Sequence, residues 1–434
     1  MRSGDAARVR IGPGSSIRTS TSTSTSHGMT DAIVARQPIF DLSQKLVGFE
    51  LLYRHSAGAT AAGGASSSVM ASTTVVQAVL GIGLDRLSEG ERVWLNFTRE
   101  MIVERAWEIL DPRQVVIELL ETIEPDEQLV AVLAEGRAKG YSFALDDFVW
   151  DPKWIPVLPH VQLVKVDVLG RTPADLKPTV RELLPYRLTL LAERVENADV
   201  HEMCRKLGFR LFQGFFFCQP QTMTRRDLRA DEVNALLLLD LVRDERTPSS
   251  QIEAAIKRDP GLTLKLLRIV NSAAMGFKGI ESIPHALRLI GRTALERWLT
   301  LLVVARFAQG GATQRELFKL SLTRARLLEQ VSQGEDRAAR FLVGMFSLLH
   351  VMLQSPIRDL IAKLKLSDAV SAALLDRQGP HGTLLAAVEA YESGDWARVE
   401  ALTGYDETVL VQFAAHYPDA LAWAIEQMGS SGLP

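Results

Sequence analysis

The first half of the chain alternates between short apolar segments and segments of helical periodicity, from Ala32 to about Pro220. Short apolar runs between turn residues are typical of buried strands, and intervening helices connect parallel strands. Gly140 and Gly208 follow two of the helical segments and mark their ends. The alternation predicts a parallel sheet, either open or closed into a barrel. The predicted strands are 33–34, 47–52, 93–97, 115–119, 142–145, 163–166, 188–191 and 211–217, with helices at 127–139, 174–184 and 198–207.

After about Leu228 the strand signals end, and the remaining segments predict an all-α domain. Breaks fall at Asp259-Pro260, Gly310-Gly311 and Pro356. The predicted helices are 233–241, 251–256, 262–269, 283–290, 294–307, 314–330, 338–353, 357–364, 368–375, 382–391 and 396–402. We therefore expect an α/β domain at 31–221, a linker at 222–232 and an all-helical domain at 233–425. Residues 1–30 are rich in Ser and Thr and predict a disordered tail.

Composition excludes several classes of protein. The 434 residues are 47% hydrophobic and 23% charged, which suffices for two cores. A net charge of −3 indicates neither nucleic-acid binding nor an anionic membrane surface. Only Cys204 and Cys218 occur, which excludes a disulfide framework and a cysteine zinc site. No apolar run is long enough to span a bilayer, and no signal peptide is evident. We expect a cytoplasmic protein.

Polar side chains occur where nearly every predicted strand ends. In a β/α barrel, the carboxyl ends of the strands converge on one rim. Carboxylate and carboxamide oxygens without His or Cys suit Mg²⁺ or Mn²⁺, and two such ions would activate a water and stabilise a leaving oxygen. The alternative is a polar layer that only caps strands and aids solubility. The residues in chain order are Glu50, Arg54, Asn96, Glu118, Glu121, Asp146, Asp147, Lys165, Asp167, Glu193, Glu196 and Gln213.

These residues lie in motifs that resemble the EAL domain, the bacterial cyclic di-GMP phosphodiesterase family. The motifs occur in the family's order and span residues 32 to 220. They are Phe-Glu-Leu-Leu-Tyr-Arg at 49–54, Trp-Leu-Asn-Phe at 94–97, Val-Ile-Glu-Leu-Leu-Glu at 116–121, Asp-Asp-Phe at 146–148, Val-Lys-Val-Asp at 164–167, Ala-Glu-Arg-Val-Glu at 192–196 and Phe-Gln-Gly-Phe at 212–215. The resemblance implies a modified TIM-type barrel that takes cyclic di-GMP with Mg²⁺ or Mn²⁺.

The resemblance also implies a role for each residue. The metal ligands would be Glu50, Asn96, Glu118, Asp146 and Asp147. Glu193 would complete the two-metal site and act as general base, and Lys165 would hold the nucleophilic water. Glu121 would anchor the loop after Asp147, Gln213 would support the site, and Arg54 would contact the substrate phosphate.

The second half resembles the HDOD domain, an all-helical relative of HD-type metal phosphohydrolases. The resemblance rests on residues 257–267, 270–273 and 283–291 and covers about 230 to 420. HD enzymes need adjacent His-Asp as metal ligands, and none of the eight histidines here precedes an Asp. The resemblance therefore implies a regulatory domain that binds an unidentified protein partner, with a homodimer left open.

Two departures from the EAL pattern leave three functions open. Residues 57–68 are small where active members carry a Pro-containing segment that clasps the dinucleotide. Val149-Trp150-Asp151-Pro152 replaces a flexible Gly-Thr-Gly after Phe148. The chain is then a slow phosphodiesterase, a receptor that binds cyclic di-GMP without hydrolysing it, or a scaffold whose barrel is a relic.

Overall fold

The computed structural model describes residues 32–55, 84–214, 230–244, 246–259, 263, 266, 283–307, 311–332, 336–364, 366–404 and 406–430. Eight strands close into a barrel in the order of the sequence. The first strand is antiparallel to both of its neighbours, and the other neighbouring pairs are parallel. The expected modified TIM-type barrel is thereby confirmed. The strands are β1 (Ala32–Asp41), β2 (Leu46–His55), β3 (Arg92–Phe97), β4 (Val115–Leu119), β5 (Ser142–Leu145), β6 (Leu163–Asp167), β7 (Thr189–Glu193) and β8 (Leu211–Phe212).

Side-chain alternation builds two layers inside the barrel. An apolar layer fills the lower interior and consists of Ile39, Trp94, Val116, Ala144, Leu163 and Leu191. Because successive side chains on a strand point to opposite faces, the residues two positions further along form the next layer. From β3 to β7 these are Asn96, Glu118, Asp146 (directly after β5), Lys165 and Glu193. Gly48 leaves room for the apolar layer, since a Cβ there would lie 2.3 Å from the Trp94 ring.

Helices surround the barrel and pack on the outward faces of the strands. They are α1 (Leu84–Ser88), α2 (Arg99–Val103), α3 (Glu127–Ala138), α4 (Pro173–Leu183) and α5 (Ala198–Leu207). Single 3₁₀ turns lie at Ala106–Ile109, Pro152–Trp154, Leu158–His160 and Leu184–Tyr186. The predicted strands and helices of this half are recovered to within a few residues, with two exceptions. Strand β1 is much longer than the predicted 33–34, and the predicted strand 211–217 is extended only over Leu211–Phe212, with 215–217 outside the described residues. Polar Arg36 and Gln37 interrupt its apolar pattern, because Gln37 contacts Gln213 in the mouth of the barrel and Arg36 pairs with Glu89 on the other face of the strand.

In the second half, all the described secondary structure is helical. The helices are α6 (Ala230–Arg243), α7 (Ser249–Lys257), α8 (Ile283–Phe307), α9 (Ala312–Gln330), α10 (Asp336–Phe346), α11 (Leu349–Leu353), α12 (Ile357–Leu364), α13 (Asp368–Asp376), α14 (Gly379–Glu392), α15 (Trp396–Leu402) and α16 (Glu407–Ser430). The single predicted helix 338–353 is wrong, since it is broken between Phe346 and Leu349. The predicted pair 283–290 and 294–307 is confirmed, since the backbone leaves helical geometry at Gly291, between the two parts of α8. Helix α16 was not predicted.

The helical half packs against β1 and the segments next to it. The hydroxyl of Tyr391 in α14 donates a 2.8 Å hydrogen bond to the backbone oxygen of Val34. Glu89, which follows α1, forms ion pairs with Arg36 at 2.9 Å and with Lys319 of α9 at 2.6 Å. Thr313 of α9 donates to the backbone oxygen of Gln44 at 3.3 Å. These contacts place α9 and α14 beside β1, and α16 also packs on β1. None of the helices in the described part of the chain has the length and apolar character needed to cross a membrane.

Candidate functional site

Lys165 lies at the centre of four carboxylates in the upper layer of the barrel. Its Nζ lies 2.7 Å from Asp146 Oδ1, 2.9 Å from Glu118 Oε1 and 3.0 Å from both Glu50 Oε2 and Glu193 Oε1. All four contacts are ion pairs. Lys165 and Glu118 are fully buried. The barrel therefore brings together acids that are far apart in the sequence.

Amide side chains fix one member of this cluster. Asn96 Nδ2 donates to Glu50 Oε1 at 3.2 Å, and Gln213 Nε2 donates to Glu50 Oε2 at 2.7 Å. Gln213 Nε2 also contacts Gln37 Oε1 at 2.6 Å. Gln37 lies opposite Glu50 in the β1–β2 register. Glu50 is therefore held on both of its oxygens, and Gln37 is a site residue that the sequence analysis missed.

Burial and mutual repulsion shift the protonation of the cluster. Burial raises the pKa of Glu118 well above its usual range, with a further rise from Glu50 and Asp146. Burial likewise raises the pKa of Glu193 to about 8. For Glu50, burial acts in the same direction, but Lys165 and the amide donors outweigh it and hold the pKa below its usual value. A single ammonium is thus too little positive charge for four buried carboxylates.

The donor set fits divalent cations. Glu50, Glu118 and Asp146 each offer a carboxylate oxygen, and these atoms all lie within 4.8 Å of one another. Glu118 Oε1 faces the Lys165 ammonium, but Glu118 Oε2, Asn96 Oδ1 and Glu193 Oε2 have no hydrogen-bond partner among the described residues. Buried oxygens without donors are costly unless a cation takes their place. An all-oxygen set suits Mg²⁺ or Mn²⁺.

The remaining candidate residues lie around this cluster. Asp147 follows Asp146 with a φ of 43° and lines the cavity above the barrel, as Glu196 does. Glu121 is exposed on the loop after β4, and its charge acts on Asp147 from a distance. Arg54 lies opposite Ile33 in the β1–β2 register, and its side chain is outside the described residues. Residues 57–68, where the sequence lacks the clasp, are also outside them.

Aromatic contacts stiffen the loop after Asp147. The Phe148 ring packs edge-on against Trp150 and obliquely against Trp154, each with centroids 6.4 Å apart. Asp151 accepts a 2.9 Å hydrogen bond from the Lys153 N–H and caps the 3₁₀ turn. The backbone N–H of Phe148 donates to the oxygen of Lys165 at 2.9 Å. The loop is therefore tied directly to the strand that carries the central lysine.

A cavity of about 530 Å³ opens above the cluster, and both halves of the chain line it. From the barrel it includes Glu50, Asn96, Asp146 and Glu193. From the helical half it includes Thr313, Lys319, Glu392, Asp395, Arg398 and Tyr417. The sequence analysis assigned none of these helical residues to the site, because their contact with the barrel arises only from tertiary packing. The volume lies in the range of small-molecule sites.

Comparisons with known proteins agree with both halves. Residues 232–355 match the HDOD domain family. The cyclic di-GMP phosphodiesterase CdgJ of Vibrio cholerae is 33% identical over 379 residues, covering 86% of this chain and 87% of CdgJ. The chain belongs to the EAL–HDOD family. Another member, the uncharacterized protein YuxH of Bacillus subtilis, is 32% identical over 84% of this chain and 91% of YuxH.

Solved EAL structures match less than half of this EAL–HDOD chain. BlrP1 of Klebsiella pneumoniae, in a calcium and cyclic di-GMP complex, is 24% identical with a TM-score of 0.36, over 43% of this chain and 54% of that one. An EAL domain protein of Listeria monocytogenes is 19% identical with a TM-score of 0.34, over 45% of this chain and 90% of that one.

Proposed function

We propose that this chain is a metal-dependent phosphodiesterase that hydrolyses cyclic di-GMP to the linear dinucleotide. The observation that carries the proposal is the buried cluster of Glu50, Glu118, Asp146 and Glu193 around Lys165, whose oxygens lack enough positive charge. Membership of the EAL–HDOD family, together with the activity named for CdgJ, supports the choice of substrate. Mg²⁺ and Mn²⁺ are the proposed cofactors.

The candidate site residues would have separate roles in this hydrolysis. Glu50, Asn96, Glu118, Asp146 and Asp147 would hold the cations. When bound, the cations would lower the pKa of a water and stabilise the leaving oxygen. Glu193 has a buried oxygen without a donor among the described residues, so it would accept the proton of the attacking water. Lys165 would orient that water, Gln213 would keep Glu50 in place, Glu121 would support the loop after Asp147, and Arg54 would bind a substrate phosphate.

The test is turnover by the full-length protein with Mg²⁺ or Mn²⁺, followed by chromatography of the nucleotides. We expect linear dinucleotide from the wild type and its loss in Glu50→Gln, because the neutral amide is a poorer cation ligand. Glu124→Gln is the matched control, since Glu124 is exposed on the loop after β4 and pairs only with Lys153 among the described residues. Absence of product with either metal contradicts the proposal.

A second candidate is a receptor that binds cyclic di-GMP without hydrolysing it. The stiff loop at Phe148, Trp150 and Trp154 favours this alternative, because loop closure over a substrate commonly completes a catalytic site. Saturable binding in calorimetry without product would select the receptor. Absence of both binding and product would select a scaffold.

The wider assignments are proposals as well. The barrel domain would span 31–221 and the helical domain 233–425, joined by the linker 222–232 after a tail at 1–30. The helical domain would transmit its state to a protein partner. A cytoplasmic location and a homodimer remain predictions from the sequence and the family resemblance.

A further inference from the structure

We propose that Arg398 of the helical half is a substrate-binding residue that contacts a phosphate of the dinucleotide in the barrel mouth. The proposal deepens the proposed function and rests on it. It assigns part of the substrate site to the helical domain, so that the site is complete only when both halves are in contact.

The turn that precedes α15, the helix carrying Arg398, packs against β2. Gly394 has a φ of 70°, and a Cβ on it would lie 2.9 Å from Leu52 Cδ1, two residues beyond Glu50. Gln37 Nε2 donates to the backbone oxygen of Glu392 at 3.3 Å. The positive φ favours glycine at this position, and the turn lies in close contact with the Leu52 side chain.

Aromatic packing fixes the helix that follows. The Trp396 ring lies edge-on to Tyr391, with centroids 5.3 Å apart and planes at 83°. Tyr391 is in turn anchored on Val34 of β1. Asp395 accepts the backbone N–H of Arg398 at 3.1 Å and caps α15. Arg398 thus stands on a backbone position that is tied to the barrel at several points.

Charge in the cavity singles out Arg398. Four basic side chains line the cavity in the described part of the chain, and three of them have ion-pair partners. Arg36 pairs with Glu89, Lys319 with Glu89 and Glu316, and Arg194 with Asp167. Arg398 makes no side-chain hydrogen bond or ion pair with any residue that the structure describes. Glu389, on which it acts through space, already bonds to Arg377.

An anionic ligand matches this arrangement. The cavity also carries Glu50, Asp146, Asp147, Glu193 and Glu196, which would repel a free phosphodiester. Bound cations would compensate for the acids at the reacting phosphate, but a cyclic dinucleotide has a second phosphate. A guanidinium without an internal partner, facing the same space, supplies a bidentate donor for that group. Residues 57–68 lack the clasp, so a contact from the other domain would take over part of its task.

The experiment measures binding and turnover of cyclic di-GMP by the full chain. Calorimetry with Ca²⁺, with product checked by chromatography, gives Kd, and turnover with Mn²⁺ gives kcat and KM. We expect Arg398→Gln to raise Kd and KM about tenfold with kcat within about twofold, because a lost charge-assisted hydrogen bond away from the reacting atoms removes uniform binding. Arg398→Lys keeps the charge but loses the bidentate geometry, so it should recover only part of the loss. Arg358→Gln, an exposed position outside the cavity, is the control.

The outcomes separate the two proposals. If the wild type binds but Arg398→Gln binds within about twofold of it, the role of Arg398 is overturned while the proposed function stands. If the wild type neither binds nor hydrolyses cyclic di-GMP, the proposed function fails and this inference fails with it. A fall in kcat with unchanged Kd would also overturn the inference, since it would indicate a disturbed active site rather than a lost substrate contact.

Discussion

The hydroxyl of Tyr391 in the helical half donates a 2.8 Å hydrogen bond to the backbone oxygen of Val34 in the barrel, and both residues are buried. Residues 357 positions apart are thereby joined through one polar contact in an apolar setting. The ring of Tyr391 also packs edge-on against Trp396 and Phe413. The two halves of the chain thus contact each other at β1, the strand that pairs with the strand carrying Glu50.

Tyr391→Phe should therefore lower the free energy of unfolding. The change keeps the ring packing but leaves the Val34 oxygen buried without its donor, which costs about 1–3 kcal/mol. Chemical denaturation followed by tryptophan fluorescence measures the loss. Tyr186→Phe is a control in the barrel, where the described residues offer the hydroxyl no hydrogen bond, and it should change stability by less than about 0.5 kcal/mol. Equal stabilities of Tyr391→Phe and wild type would contradict the contact.

Divalent cations should stabilise the protein through Glu118. At a Mn²⁺ concentration of about a hundred times its Kd, binding to the native state adds about 2.7 kcal/mol. Glu118→Gln should abolish most of the Mn²⁺-dependent rise in Tm, because a buried carboxylate ligand is lost. Thermal unfolding with Mn²⁺ and with EDTA tests this. Glu124→Gln should keep the full shift, and a wild type with no metal-dependent shift would rule out the metal site.

Lys165→Met should lower the free energy of unfolding of the metal-free protein, and by more than a substitution of an exposed residue does. The substitution keeps the length of the side chain but leaves four buried carboxylates without a cation, and breaking a buried ion pair costs about 3–5 kcal/mol. Mn²⁺ should restore part of the loss by supplying positive charge at the same place. Denaturation with and without Mn²⁺ measures both effects. A variant as stable as the wild type in EDTA would show that Lys165 does not hold the cluster together.

The cost of protonating buried His350 should lower the stability of the helical half in mild acid. Burial, with help from Arg377 and Arg324 and against Glu389, lowers its pKa to about 4. An unfolded histidine has a pKa near 6.5, so between these values the unfolded state binds the proton more readily. The stability that neutral His350 supports is present above pH 6.5 and is lost as the pH falls toward 4.

His350→Gln isolates this effect. Between pH 7.5 and 5.5 the wild type should lose about 1 kcal/mol more unfolding free energy than the variant, because glutamine does not titrate. Denaturant titrations of both proteins at the two pH values give the difference. Identical pH dependence in the two proteins would mean that His350 is no harder to protonate in the folded state.

The local pattern of apolar and turn residues predicted much of the fold. Strands β4 and β5 were predicted residue for residue, since each is a short apolar run between turn signals. Local pattern failed for β1, where Arg36 and Gln37 resemble a loop until the strand is seen to pair with β2 on one side and β8 on the other.

Some features of the site depend on contacts between distant segments. Gln37 joins the cluster only because barrel closure brings β1 beside Gln213. Arg398 reaches the cavity only because the turn at Gly394 rests on Leu52. No spacing within the chain encodes either contact, since both depend on how whole elements pack.

The sequence by itself determined the two-part architecture, the motif family and the set of oxygen-bearing side chains, because periodicity and strand-end chemistry are local properties. Only the tertiary structure decided that the single ammonium of Lys165 faces four carboxylates and that helices of the second half line the cavity above the barrel. The physical reason is that the charge balance of the cluster and the shape of the cavity both depend on distances between residues that are far apart in the sequence. Those distances are set only when the chain folds.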